Sequence, residues 1–141
     1  MTFRWLQKPD DLTAVYSIRE NVFVREQGFS DEFDDIDDTC LHLLCEVDGE
    51  SAGCARIYPD REEGRWHIGR VAIRRAFRGT GLGAAIMNAC HQKISELGGT
   101  AVVLSAQCQA IGFYQKAGYQ ITSGEYLDQH CPHVDMLRQI L

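Results

Sequence analysis

Residues 66–87 read Trp66-His67-Ile68-Gly69-Arg70-Val71-Ala72-Ile73-Arg74-Arg75-Ala76-Phe77-Arg78-Gly79-Thr80-Gly81-Leu82-Gly83-Ala84-Ala85-Ile86-Met87. The apolar run from Ile68 to Ile73 has strand character, and a charged turn carries it into Arg78-Gly79-Thr80-Gly81-Leu82-Gly83. Beyond the turn, Leu82, Ile86, Cys90, Ile94 and Leu97 recur at helical spacing. Strand, glycine turn and helix start together predict an anion cradle. Glycine lets the backbone approach a ligand closely, and the first N–H groups of a helix have no internal partner. A phosphate takes those donors and gains from the helix dipole.

The spacing selects among phosphate loops. Gly-x-Gly-x-Gly after an arginine is not the Gly-x-Gly-x-x-Gly of dinucleotide folds, and the Gly-Lys-Ser/Thr of the P-loop is absent. The pattern Arg-x-x-Gly-x-Gly resembles the pyrophosphate loop of the GNAT superfamily of N-acetyltransferases.

The surrounding chain bounds this reading. Its 141 residues suit a single domain spanning 1–141 with one sizeable core. No apolar run approaches a membrane span, and Met1-Thr2-Phe3-Arg4-Trp5-Leu6 lacks a signal-peptide layout, so a cytoplasmic location is expected. A net charge of −6 argues against nucleic acid or an anionic membrane as partner. Seven of the fourteen Lys and Arg residues are arginines between Arg56 and Arg78, a basic region suited to an anionic cofactor. Residues 26–38 hold seven acids, read as a solvated loop, with attraction of a cationic acceptor as the alternative. The six cysteines form no Cys-x-x-Cys pair and read as free thiols in a reducing compartment. His130-Cys131-Pro132-His133 has metal-ligand types without metal-ligand spacing, and the acidic run lacks the glycine and spacing of an EF-hand. No metal is expected.

Phe3 to Leu6 reads as a first strand, and Leu12, Val15, Tyr16, Arg19, Val22 and Phe23 as one helical face. Two strands, Leu41–Val47 and Ser51–Tyr58, flank the turn Asp48-Gly49-Glu50. The long helix stops at Gly98-Gly99, Ala101 to Ser105 is a buried-type strand, and a short helix spans Ala110 to Ala117. Tyr119–Thr122 and His133–Ile140 are closing strands. The order predicts an α/β protein of α+β type, a mixed sheet with helices on both faces.

That order is similar to the GNAT fold along essentially the whole chain, which implies a mostly antiparallel twisted sheet splayed in the middle. Gly112-Phe113-Tyr114-Gln115-Lys116-Ala117-Gly118-Tyr119 resembles the superfamily's late Phe-Tyr-x-x-x-Gly-Phe/Tyr helix. Val22 to Gln27, Gly69-Arg70-Val71, Ala106-Gln107 and Pro132 to Met136 together resemble the ElaA-like subgroup. The resemblance implies acetyl-CoA lying between the strand ending in Ile73 and the strand around Leu104. It implies that the backbone of Val71, Ala72 and Ile73 pairs with the pantetheine arm. The N–H groups of Arg78, Gly79, Thr80, Gly81, Leu82 and Gly83 would hold the pyrophosphate. Val71 N–H would donate to the thioester oxygen, and Tyr114 would be the general acid. Gln107 stands where the family often has asparagine for the cofactor.

His67 lies four residues before Val71, where some family members carry a carboxylate, and is the candidate base. Strict alternation puts it on the face of Gly69 and Val71. Glu26, His42 and His133 match subgroup positions near the acceptor cleft. Arg74 and Arg75 read as solvated turn residues, with cofactor phosphates as the alternative. The expected activity is transfer of acetyl to a primary amine, small molecules being favoured as acceptors. The alternatives are a non-catalytic acyl-CoA sensor or partner subunit, and an enzyme for longer acyl chains. The closing strands offer edges for a homodimer.

Overall fold

In the computed structural model, which describes residues 1–140, eight strands form one open sheet in the order β1-β2-β3-β4-β5-β8-β6, with β7 paired to β8 off that path. The strands are β1 Thr2–Leu6, β2 Leu41–Val47, β3 Glu50–Pro59, β4 Arg65–Ile73, β5 Ala101–Gln107, β6 Gln120–Ile121, β7 Tyr126–Asp128 and β8 Cys131–Gln139. The helices are α1 Thr13–Arg19, α2 Leu82–Glu96 and α3 Ile111–Lys116. Every pairing is antiparallel except that of β4 with β5. This is the mixed sheet expected from the sequence.

The splay is visible in the register. β4 and β5 pair only at Arg65↔Ala101, Trp66↔Val102 and His67↔Val103. Beyond that point β5 keeps pairing with β8 as far as Gln107↔His133, while the second half of β4 stays with β3. A wedge opens between them.

Two apolar layers hold the sheet from opposite faces. α2 buries Leu82, Ile86, Met87, Cys90 and Ile94 against Leu43, Ala55, Ile57, Ile68, Val102 and Leu104. α1 and the turns after it bury Val15, Ile18 and Val22 against Leu44, Cys54 and Ala72. Burying each such aliphatic side chain contributes roughly 1.5–3 kcal/mol.

The period of two breaks inside β4. Trp66 and Ile68 face the α2 layer, yet after Arg70 it is Val71 and Ile73 that face it, and Ala72 turns to the α1 layer. Gly69 pairs with Arg56 and Ala72 with Cys54, so the ladder passes over Arg70 and Val71 opposite the single residue Ala55. Arg70 is the extra residue of a β-bulge, with φ of 51°. The expected common face for His67 and Val71 is therefore overturned. His67 lies on the α1 face, stacked on Tyr58 with ring centroids 4.7 Å apart, and the Val71 side chain lies on the α2 face.

Two further elements differ from expectation. The first helix does not stop near Phe23: wider π-type turns continue it over Glu20–Glu26, with Gln27 N–H reaching the Val22 carbonyl at 3.2 Å. The β7–β8 hairpin was not anticipated, since a three-residue strand shows no periodicity.

Candidate active site

The glycine turn forms where the sequence places it. Gly79 and Gly81 have φ of 76° and 83°, a left-handed backbone that glycine adopts without steric cost. Thr80 Oγ1 donates to the Phe77 carbonyl at 2.7 Å and ties the turn. Ala85 N–H makes the first helical bond, to the Gly81 carbonyl at 3.2 Å. The N–H groups ahead of it are the ones a helix leaves without internal partners, and the dipole of a 15-residue helix favours an anion there. Gly83 has another duty. A Cβ on it would lie 3.0 Å from Phe113 Cε1 and 3.3 Å from Ile73 Cδ1, so it lets α2 pack against β4 and α3.

The arginines around the turn are mostly engaged. Arg78 donates through Nε to the Ile73 carbonyl at 2.9 Å, and its guanidinium sits 2.9 Å from the Glu26 carboxylate. One acceptor that the resemblance assigned to the pantetheine arm is thus already used within the chain. Glu26 stands beside the glycine turn, not in the acceptor cleft as expected. Arg74 is pinned to the Ser51 carbonyl at 3.0 Å and to Ser17 Oγ at 3.1 Å. Arg75 is exposed, its nearest carboxylate being Glu26 at 3.8 Å.

A cavity of about 560 Å³ fills the wedge between β4 and β5. Glu26, Ala72, Ile73 and residues 79–83 lie outside its lining, while Val71, His67, Tyr114, Gln107, His133 and Arg78 line it. His42 does not. It is fully buried beneath the acidic segment, with Nε2 3.1 Å from the Asp37 carbonyl and 3.4 Å from Cys40 Sγ.

Tyr114 projects from α3, edge-on to Phe113 at 5.0 Å and to Tyr119 at 5.9 Å. Burial, reinforced by the neighbouring Cys90, pushes its phenol up to about 12, so the group keeps its proton at neutral pH. A buttress stands behind it. Arg138 has only donors, so its 3.1 Å contact makes His91 Nδ1 the acceptor, and His91 Nε2–H donates to the Tyr119 hydroxyl at 2.6 Å. Burial and then the Arg138 charge push His91 down to about 4, which keeps the ring neutral. Arg138 also donates to the Ala117 carbonyl at 2.7 Å, closing the end of α3.

His67 Nε2 meets Asp60 Oδ1 at 2.7 Å. With Nε2–H donating to that carboxylate, the neutral ring carries its lone pair on Nδ1. Gln107 Nε2 donates to Gln27 Oε1 at 2.7 Å, linking the end of β5 to the end of the π-type turns.

The acidic segment is not a solvated loop. Arg19, fully buried on the apolar face of α1, binds Glu32 at 3.0 Å and Asp37 at 2.7 Å. Arg56 on β3 binds Asp34 at 2.6 Å and Asp37 at 3.0 Å. Arg70 binds Glu32 at 2.8 Å and Asp34 at 3.4 Å. Three arginines and three acids thus lock the segment onto the sheet. Burial pushes the Glu32 carboxyl up against the pull of Arg70 and Arg19. Asp37, Cys40 and His42 bring metal-ligand atoms within 4.8 Å of one another. Two guanidiniums already hold Asp37 and would repel a cation, and burial pushes the Cys40 thiol up to about 11, so this trio is a hydrogen-bonded cluster.

Sequence reasoning missed Asp60, Arg70 and the Arg138–His91–Tyr119 buttress. Arg70 and Tyr119 fell inside the quoted motifs without a role being assigned, and Arg19 left its signal as an arginine inside an apolar helical repeat.

Comparison with known proteins agrees with this geometry. Residues 14–140 match the family model described as an acetyltransferase (GNAT) domain. The chain is 32% identical to YjcF of Bacillus subtilis, an uncharacterized N-acetyltransferase, covering 92% of this chain and 93% of that protein. The structure is similar to an acyl-CoA N-acyltransferase from Pseudomonas aeruginosa, with a TM-score of 0.87 and 31% identity over 98% of this chain and 99% of the other. It is also similar to Escherichia coli ElaA, with a TM-score of 0.87 and 27% identity over 97% and 98% of the two chains.

Proposed function

The chain belongs to the GNAT family of acetyltransferases, and we propose that it transfers the acetyl group of acetyl-CoA to a primary amine of a small-molecule acceptor by direct attack. The observation that carries this reading is the convergence of Val71, Tyr114 and His67 on one cavity at the splay, next to the helix start at Gly81. Left-handed glycines beside unpartnered helical N–H groups suit a pyrophosphate. An open strand edge at β4 suits the amide-bearing pantetheine arm.

The two faces of the sheet divide the work. The glycine turn, the Val71 side chain and Tyr114 belong to the α2 side, and His67, Gln107 and His133 to the α1 side. Thioester and acceptor amine would meet through the wedge from opposite faces. The amine nitrogen attacks the carbonyl carbon as its lone pair forms the C–N bond. Val71 N–H, next to the bulge, donates to the carbonyl oxygen as charge builds there. The C–S bond breaks and the sulfur takes the Tyr114 proton. His67 Nδ1, its ring oriented by Asp60, receives the amine proton. The phenol regains a proton from solvent, so each turnover converts one ammonium and one thioester into one amide, one thiol and one proton.

The test is incubation with acetyl-CoA and a panel of amines, read by product mass. An acetylated product formed by the wild type and lost in Tyr114→Phe supports the reading. Acetyl-CoA binding without transfer to any amine class would favour a non-catalytic acyl-CoA-binding module.

A further inference from the structure

Building on the transferase reading, we propose that the acceptor is a compact di- or polyamine free of carboxylate and phosphate, whose distal ammonium is held by Asp31, Asp128 and His133. The acceptor half of the cavity lies on the α1 face of the sheet. Leu104 and Ala106 point into the α2-side core, so the alternate residues Ser105 and Gln107 face the other way, beside His133 in register with Gln107. Two loops roof this half and are clasped together. Ser30 N–H donates to Gln129 Oε1 at 2.8 Å, and Gln129 Nε2 donates back to the Ser30 carbonyl at 2.6 Å.

Charge accounting along the wall selects the ligand. The cationic side chains of the lining, apart from its histidines, are Arg56, Arg70 and Arg78. Arg56 is bound by Asp34 and Asp37, Arg70 by Glu32 and Asp34, and Arg78 by Glu26. Each guanidinium is thus charge-paired within the chain, and of Arg56 only the buried Nε–H is left without a partner. Glu32 is equally spent, on Arg19 and Arg70. Asp31 and Asp128 flank the clasp on its two sides, line the cavity, and make no ion pair among the described residues. An anionic group there would face two carboxylates within about one Debye length.

His133 points independently to a ligand that donates hydrogen bonds. It is 6% exposed and lines the cavity. Its Nδ1 meets the Cys131 carbonyl at 2.8 Å and must donate, so the neutral ring keeps Nε2 as an acceptor with no protein partner among the described residues. An acceptor open to the cavity can be met by a ligand N–H. An ammonium offers three donors and no acceptor, the complement of two carboxylates and an imidazole nitrogen.

The experiment uses the full chain with acetyl-CoA and two pairs of amines that differ only by a carboxylate: cadaverine against lysine, and putrescine against ornithine. Acetyl-CoA affinity is measured first by calorimetry. Transfer is read by product mass, and amine binding to the CoA-loaded protein by calorimetry. The expected result is a kcat/KM for each diamine about tenfold or more above that of its amino acid. The double substitution Asp31→Asn and Asp128→Asn should remove most of that difference, at about threefold for each exposed charge. Asparagine tolerates the φ of 53° at position 31, so the variant keeps the loop backbone, and acetyl-CoA affinity should hold. Three outcomes overturn the proposal: equal or better use of the amino acids, a preference that survives the double substitution, or diamines that neither react nor bind. The first two leave the transferase reading standing. Absence of acetyl-CoA binding by the wild type overturns that reading itself, and this proposal with it.

Discussion

The guanidinium of Arg70 lies 2.8 Å from the Glu32 carboxylate and 3.0 Å from the Glu32 carbonyl, although the Arg70 backbone is left-handed. A non-glycine residue in that conformation costs roughly 1–3 kcal/mol and persists only where its surroundings impose it. Here the side chain is the anchor that imposes it. The bulge that breaks the alternation of β4 just before Val71 is therefore tied to the segment roofing the cavity.

Arg70→Ala and Arg70→Gly should lower kcat by about 10–100-fold, below the ceiling for losing an oxyanion donor outright. Glycine adopts a φ of 51° without that cost, so Arg70→Gly should fall at the mild end of this range and Arg70→Ala at the severe end, and Arg70→Lys should recover part of the loss. The check is the carbonyl stretch of isotope-labelled acetyl-CoA bound to each variant, which should move toward its free value while affinity stays within about twofold. An unmoved stretch would separate Arg70 from the Val71 donor.

Tyr114→Phe should reduce turnover by about 10²–10⁴-fold and leave acetyl-CoA affinity nearly unchanged. The phenol is held protonated up to about 12, so the wild-type profile should show no loss of this acid across neutral pH. Stopped assays with product mass as readout decide it. Equal turnover in the variant would make Tyr114 a packing residue.

Gly81 and Gly83 should fail differently. A Cβ at Gly81 meets no atom within 4 Å, but Gly81→Val strains a backbone at φ of 83°, so the expected result is weakened acetyl-CoA binding with a modest change in stability. Gly83→Val drives a side chain into Phe113 and Ile73, and overpacking of this kind costs about 1–3 kcal/mol. Urea midpoints and calorimetric titrations of the two variants separate the ligand effect from the packing effect.

Asp37 should govern part of the acid stability. Burial disfavours its charge, but the Arg19 hydrogen bonds and charge, the Asp34 N–H and Arg56 outweigh that and hold the carboxyl at about 2. A carboxyl depressed on folding stabilises the protein above its unfolded value near 3.8 and loses that contribution as pH falls through about 2. The contribution is about 2 kcal/mol. Urea unfolding of wild type and Asp37→Asn should differ most above pH 5 and converge near pH 2. A gap independent of pH would assign the effect of Asn to packing alone.

Removing Arg19 tests the same unit from its centre. Arg19→Met leaves Glu32 and Asp37 buried with one guanidinium fewer, and breaking such a pair costs about 3–5 kcal/mol. A denaturant midpoint close to wild type would show that Arg56 and Arg70 neutralise the segment without it.

Local chemistry was readable along the chain. The glycine turn at 78–83, the helix from Leu82, the Phe113-Tyr114 helix and the strand order follow from spacing and turn residues, which act between near neighbours. Those same features carried the family resemblance, and with it Tyr114 and Val71. Contacts distant in sequence were not readable. Period-two alternation cannot register one extra residue, so the bulge at Arg70 inverted the facing of Val71 relative to His67. Composition could count the acids of 26–38 but not pair them with Arg19, Arg56 and Arg70, which come from three other elements. Glu26 and His42 matched subgroup positions, yet folding spends one on Arg78 and buries the other under Asp37. Which charges remain free to meet a ligand is settled by those pairings, because opposite charges cancel through space and not along the chain.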